Sequence, residues 1–409
     1  MAAMKTPKRY SSSSFYDRQW EQRHLQSLLR QDANILITAP RRVGKTELSF
    51  KLLDWALDEG WLASYANVQD ALSEADFFQE LIRALDEAGI QPKAFAQFKN
   101  AWTVLRSNLP SKAKVSDGET SVEFELTPAA EDALRSVQDR LGQLLESVTA
   151  SEQTILIALD ELPIFLTTLS DQPGGEARVK AMLNWFRKLR TLPALRRVRW
   201  LLCGSIGLDT FVEDRLLTGS INDLRPENLG PFEETIAIEF VKRRALLGTE
   251  PLEISDDLAR AVVGRVGLAL PFYLRLMVDE LQSLAPPRRS SSFPALADVE
   301  TAYAGLVSTT KTMHFMHWVS RLDLQFGKVA ALSVRAILKQ CCQKSEGSTR
   351  ARLRNLMIKR HPQHDSESID RELARVLGIL ERDGYIHGDG ARWVFRSFLL
   401  RDFWVRHVP

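Results

Sequence analysis

Apolar residues first fall into register at three- and four-residue steps (Trp20, His24, Leu25, Leu28 and Leu29), which predicts a helix over 15–30. The apolar, β-branched run Asn34–Thr38 predicts a buried strand. A loop holding Pro40 and Gly44 follows, then a helix over 45–57 that Gly60 ends as a C-cap. The same alternation predicts a strand at 61–68, an amphipathic helix at 75–88 and a long helix at 128–148. It continues with the most apolar strand of the chain at 154–159, a helix at 178–190 and a strand at 198–203. Between 91 and 127 the pattern weakens. There, period-two alternation at 122–126 and the turn pair Asp117-Gly118 predict a small β-hairpin insertion. Strands alternating with helices predict a parallel sheet flanked by helices on both faces.

Beyond about 231 the strands nearly stop, and helices are predicted at 233–247, 256–266 and 271–284. Pro286-Pro287 and the polar run 288–292 read as a linker. Near the end, segments 384–387 and 392–395 flank Gly388-Asp389-Gly390, a two-strand hairpin. A helix pair ahead of such a hairpin is a winged-helix pattern. No internal repeat is visible.

The chemistry starts at Ala39-Pro40-Arg41-Arg42-Val43-Gly44-Lys45-Thr46, followed by Glu47. It leaves a strand and opens a helix, the context a phosphate-binding loop requires. Backbone N–H groups and the helix N-terminus would converge on phosphates, Lys45 would reach the β- and γ-phosphates, and the Thr46 hydroxyl would coordinate Mg²⁺. Residues 39–47 are therefore candidates for holding a nucleotide. The pattern ordinarily begins with glycine. Ala39 carries a Cβ, so a positive φ there would weaken affinity or turnover.

The strand at 154–159 delivers Asp160-Glu161 to its carboxyl end, where ligands of open α/β sheets bind. Asp160 is a candidate for the Mg²⁺ shell, and Glu161 for polarising the water that attacks the γ-phosphate. Ser205, after the next strand, could orient that water or simply cap the following helix. Arg215 and Arg225 could act as an arginine finger toward a neighbouring subunit or lie as plain surface arginines.

Composition narrows the class. With 44% hydrophobic and 26% charged residues and a net charge of +2, the total does not call for nucleic acid. The basic excess is local, in the first thirty residues and the last eighty. Of three cysteines none forms a CxxC pair, so neither a disulfide framework nor a zinc site is expected. His314 and His317 suit one helix face, but no carboxylate or cysteine joins them, so packing is the reading preferred over metal. No apolar run is long enough for a bilayer, and the N-terminus lacks an apolar core of the secretory kind. A cytoplasmic location without membrane attachment is the expectation.

Together these residues resemble the prokaryotic AAA+/STAND ATPases known as the archaeal ATPase family. Phe15, Arg18 and Glu21 match the spacing of the family's Phe-x-x-Arg-x-x-Glu box, and residues 39–46 match its GPRRxGKT loop with Ala for Gly. Asp160-Glu161-Leu162-Pro163 matches its DE-x-P element, and Gly204-Ser205 the end of its next strand. Gly267 to Pro271 is similar, with wider spacing, to its lid-helix start, and 395–404 to its Phe-Arg-Ser-x-Leu-Leu-Arg-x-x-Trp ending. The resemblance implies an α/β P-loop NTPase core followed by an α-helical lid and a winged-helix domain. The expected division is a lead-in over 1–30, a core over 31–230 with its 91–127 insertion, a lid over 231–290, and a helical linker with winged helix over 291–409. It also implies nucleotide contacts by Arg18 and Pro271, ATP and Mg²⁺ as cofactors, homo-oligomers, and a protein partner.

The resulting expectation is an ATP-hydrolysing molecular switch. Two alternatives stand beside it. The basic run Arg350, Arg352, Arg354, Lys359 and Arg360 suggests ATP-gated DNA binding. Ala39 suggests a pseudo-ATPase that binds without turnover.

Overall fold

The computed structural model describes residues 16, 18–40, 42–90, 92–108, 127–204, 207–247, 251–284, 294–308 and 311–408. The hairpin expected at 117–126, the linker expected at 286–292, and Phe15, Arg41 and Ser205 lie outside the described residues. The chain divides into two compact units, residues 1–38 with 45–229, and residues 39–44 with 230–409.

The first unit runs α1 (Gln19–Arg30), β1 (Asn34–Thr38), α2 (Lys45–Asp58), β2 (Leu62–Asn67), α3 (Glu74–Glu87), α4 (Pro92–Asn108) and α5 (Pro128–Ala150). It continues with β3 (Ile155–Asp160), α6 (Leu162–Ser170), α7 (Gly175–Thr191), β4 (Val198–Gly204), α8 (Leu208–Glu213) and β5 (Leu224–Asn228). The five strands form one sheet in the order β2-β3-β4-β1-β5, and every pairing is parallel. Every residue of β3 and β4 is buried, as are the three central residues of β1. A parallel sheet covered on both faces needs strands that are apolar throughout, which is why these runs were legible.

Three elements of this unit, β5, α4 and α6, were missed in the sequence. β5 buries only Leu224 and contains Pro226. It is an edge strand, where a proline's missing N–H disrupts no ladder, and its polar composition hides it. α4 occupies the first part of the segment where patterning weakened. It buries Phe98 and Leu105, and Trp102 Nε1 donates to the Ala75 carbonyl at 2.8 Å. α6 is apolar nearly all round, so it shows no amphipathic period. Ring contacts tie the helices to one another and to the sheet: Phe77 stacks on Phe165 at 5.1 Å, and Phe186 meets Trp200 edge-on at 4.8 Å. Each such fully buried ring contributes roughly 1.5–3 kcal/mol from burial.

The second unit contains α9 (Glu234–Ala245), α10 (Asp256–Val266), α11 (Pro271–Ser283), α12 (Leu296–Leu306) and α13 (Met313–Cys342), the last interrupted at Gly327, where φ is +73°. Then come β6 (Ser348–Thr349), α14 (Arg350–Arg360), α15 (Ser366–Arg382), β7 (Ile386–Gly388), β8 (Arg392–Phe395) and α16 (Phe398–His407). The expected hairpin is present as β7 and β8, and β6 adds a third antiparallel strand in the order β6-β8-β7. Asp389 closes its turn, accepting from the backbone N–H of Ala391 and of Arg392, with Gly390 at φ +89°.

The 395–404 stretch is structural. Ser397 caps α16 by accepting from the Leu400 N–H, Asp402 accepts from the Tyr303 hydroxyl at 2.8 Å, and Phe403 stacks on Phe315. Tyr385 donates to the Trp318 carbonyl at 2.7 Å, and a buried Arg321–Asp383 ion pair at 3.0 Å lies on the same α13 face. Among the described residues, no helix is long and apolar enough to cross a membrane.

Candidate functional site

β1 ends at Thr38 and α2 begins at Lys45, so six residues must turn the chain. Arg42 has φ +70° and Gly44 φ +97°, with Val43 buried between them. Such alternation turns successive N–H groups inward, a concavity suited to an anion. At Gly44 an added Cβ would meet nothing within 4 Å, so the backbone conformation, not space, demands glycine there. Arg42 adopts the same region with a side chain, at a cost of about 1–2 kcal/mol. Ala39 is not among the positive-φ residues. The backbone reason for expecting a weakened loop at that position is therefore removed. Within the second unit, to which 39–44 belong, the Arg42 guanidinium lies 3.9 Å over the Phe272 ring. Pro271 is the first residue of α11, where its missing N–H breaks no helical bond.

In the first unit the N-terminus of α2 faces the end of β3. Lys45 opens the helix and is only 8% exposed. Thr46 Oγ1 donates to Asp160 Oδ2 at 3.0 Å across 114 positions of sequence. The Tyr65 hydroxyl, from β2, donates to the same oxygen at 3.0 Å, and Asp160 Oδ1 accepts the Glu161 N–H at 3.0 Å. Burial raises the Asp160 carboxyl above the usual range, and the Glu161 charge raises it further, while Thr46, Tyr65 and Lys45 oppose the rise. Burial and the Asp160 charge likewise push the Tyr65 phenol up.

A hydroxyl and a carboxylate oxygen converging in this way are hard ligands. They suit Mg²⁺, which takes one or two protein oxygens and fills its remaining positions with phosphate oxygens and water. The residues present fit that ion. Glu161 sits in the left-handed region at φ +61° and precedes α6 without a side-chain cap, its N–H also donating to the Cys203 carbonyl at 2.9 Å. A side-chain-bearing residue held there is strained by about 1–3 kcal/mol, a cost that clusters at working sites. Beneath, Ser49 Oγ lies 3.0 Å from the Lys45 carbonyl and 3.3 Å from Cys203 Sγ. Burial pushes the Cys203 thiol up, so it stays protonated packing.

The remaining candidates are more dispersed. Glu47 is exposed in the first turn of α2. Arg18 is buried, and its guanidinium pairs with Glu21 at 2.7 Å. Glu21 in turn lines a small cavity with Trp20, His24, Ile37, Leu48 and Glu227. Arg215 is engaged inside its own unit. It lies 3.2 Å from Glu176 and 3.1 Å from Ser170 Oγ, with its guanidinium 3.9 Å over Phe211. Arg225 is exposed and 3.6 Å from Glu227. Sequence reasoning missed Tyr65, which looked like an ordinary strand residue, and the His24–Glu227 pair at 3.1 Å, whose members are 203 positions apart.

No family model matches the chain, and no curated protein does. Among solved structures, the Walker-type ATPase of Pyrococcus abyssi is similar over 98% of both chains, with a TM-score of 0.60 and 17% identity. The ORC2 protein of Aeropyrum pernix, in its ADPNP and ADP complexes, is similar over 97% of this chain and 96% of its own. Its TM-score is 0.46 and its identity 13%. The likeness to the Pyrococcus protein shows the fold: a P-loop-type α/β core of five parallel strands with flanking helices, followed by a helical C-terminal region.

Proposed function

We propose that this chain binds ATP with Mg²⁺ and hydrolyses it, using the nucleotide to switch conformation and assembly. The observation that carries the reading is the convergence of Lys45, Thr46 and Asp160, with Thr46 and Asp160 joined at 3.0 Å at the mouth of a phosphate-loop turn. The inward N–H groups of the turn and the N-terminus of α2 hold the phosphates. Lys45 neutralises charge at the β- and γ-phosphates, and Thr46 and Asp160 hold the metal. Bound Mg²⁺ supplies charge neutralisation across the phosphates. Glu161 orients the attacking water and takes its proton. Arg18 acts one step back, by fixing Glu21. Arg215 would have to leave Glu176 and Phe211 before reaching a neighbouring subunit, so its part belongs to the assembled state. An ATP-driven homo-oligomer in the cytoplasm with a protein partner fits this picture.

The test is ATP binding and turnover with Mg²⁺ on the wild type, Lys45→Ala and Glu161→Gln. Loss of binding in the first variant and retained binding without turnover in the second support the proposal. Wild type that fails to bind ATP refutes it, and wild type that binds without turnover leaves the pseudo-ATPase reading in its place.

A second reading has one specific observation behind it. β6 to β8 with α14 and α15 form a winged-helix-like set. α14 exposes Arg350, Arg352, Lys359 and Arg360 and carries no acidic residue. Arg354 is tied to Asp370 at 2.7 Å and so contributes less free charge. DNA binding that weakens with salt and is lost on Arg350→Glu with Arg352→Glu would support it; no binding at low salt would end it.

A further inference from the structure

Within the second unit, three helices meet around a cavity that the nucleotide reading does not use. The half of α13 past the break at Gly327 forms one wall, the C-terminal end of α14 a second, and the N-terminal part of α15 the third. Its volume is about 400 Å³, inside the range of roughly 300–1,000 Å³ found for small-molecule sites. Val334, Ile337, Met357, Ile369 and Val376 make an apolar floor, each at most 2% exposed. An apolar group that fills the cavity removes this floor, and itself, from water.

The rim is polar, and its spare hydrogen-bonding capacity lies mostly on the donor side. Ser333 Oγ and His361 Nε2 are 2.8 Å apart. With the hydroxyl donating, the ring keeps its Nδ1–H as a donor. The His364 ring lies parallel to that of His361, with centroids 5.4 Å apart and an interplanar angle of 20°. Among the described residues, neither His361 Nδ1 nor a ring nitrogen of His364 has a hydrogen-bond partner. Arg371 gives one N–H, from Nη2, to Glu367 Oε1 at 2.8 Å, and a guanidinium has about five. The acid in the lining, Glu372, is already answered: its Oε2 and Oε1 accept from Arg375 at 2.9 and 3.0 Å. Ser368 gives its hydroxyl proton to Asp365 Oδ2 at 2.9 Å. An apolar floor under a donor-rich rim complements a small amphipathic anion and offers little to an amine.

We infer that this cavity binds a small hydrophobic carboxylate, with its ring or chain on Val334, Ile337 and Met357 and its carboxylate toward His361 and Arg371. The inference stands independently of the nucleotide reading.

The experiment is calorimetric titration of the full chain with sodium 2-naphthoate and with its uncharged counterpart, 2-naphthamide. The chains are the wild type, Ala330→Phe, and Arg371→Gln combined with His361→Phe. Melting curves confirm that each variant is folded. The wild type should bind naphthoate with a dissociation constant of about 10–500 µM, ordinary for a ligand of this size. Hydrogen bonds to a charged acceptor should place its preference over naphthamide between about 3- and 30-fold. Ala330→Phe puts a ring into the cavity and should weaken both probes about tenfold or more. The Arg371→Gln, His361→Phe pair keeps a ring beside His364 and should bring the two probes within about twofold by weakening naphthoate alone. No saturable naphthoate binding up to about 5 mM, or binding that Ala330→Phe leaves unchanged, would overturn the site. Equal wild-type affinities for the two probes, or a preference that the paired variant leaves intact, would overturn the assignment of an anion to it.

Discussion

Asp160→Asn should make the ligand-free protein more stable and the Mg-ATP-bound protein less so, reversing the order of the two chains. Asp160 is 4% exposed, and its carboxyl is raised because burial and the Glu161 charge outweigh Thr46, Tyr65 and Lys45. With a folded value above the unfolded one, the native state binds the extra proton. Stability then falls as pH rises from the ordinary Asp range through the raised value, and at neutral pH the whole penalty is present. Asparagine has no such penalty. Its oxygen can still accept the Glu161 N–H, and the Thr46 and Tyr65 hydroxyls can rotate to accept from its amide. Weakening two bonds to a charged acceptor costs about 1–3 kcal/mol, against several for a buried carboxylate. A net gain of about 1 kcal/mol would raise the melting temperature of a unit this size by about 2–4 °C. Ligand at a hundredfold excess over its dissociation constant stabilises the wild type by about 2.7 kcal/mol, and the variant by little. Thermal melts with and without Mg-ATP, at neutral pH and near pH 4, provide the assay. The ligand-free advantage should shrink at the acid end. The reasoning fails if Asp160→Asn melts below the wild type without ligand, or if both chains gain equally from Mg-ATP.

Four further outcomes follow from the same geometry. Ala39→Gly should change ATP affinity less than about twofold, because position 39 needs no positive φ; a tenfold gain in a binding titration would contradict this. Glu161→Gly should relieve left-handed strain and raise ligand-free stability by about 0.5–1 kcal/mol in denaturant melts, while turnover disappears. Tyr65→Phe removes one donor to Asp160 and should loosen Mg²⁺ dependence, measured as the Mg²⁺ concentration for half-maximal turnover, while a merely structural tyrosine would leave that value in place. Gly44→Ala should lose nucleotide binding although space for the methyl exists, because the φ of +97° is what excludes it; unchanged binding would show that the loop relaxes.

The sequence by itself determined the strands that had to be apolar throughout and the chemistry strung along their ends. β1, β3 and β4 announced themselves because a parallel sheet covered on both faces tolerates nothing else. Lys45, Thr46, Asp160 and Glu161 stood out as candidates because a phosphate loop must sit between a strand and a helix, and an acid pair must follow an apolar strand. Hidden from the sequence were β5, polar and proline-bearing at the sheet edge, and α6, too uniformly apolar to show a period.

Only the tertiary structure decided which side chains complete the site. Tyr65 reaches Asp160 because β2 pairs with β3 in a register that sets Asn67 against Asp160. His24 meets Glu227 because β5 docks beside β1. It also decided that Arg42 and Glu161 take a positive φ while Ala39 does not. The physical reason is range. Periodicity and local motifs report on neighbours along a helix or strand, whereas strand order and register bring together residues 95 and 203 positions apart, and nothing local in the sequence encodes that meeting.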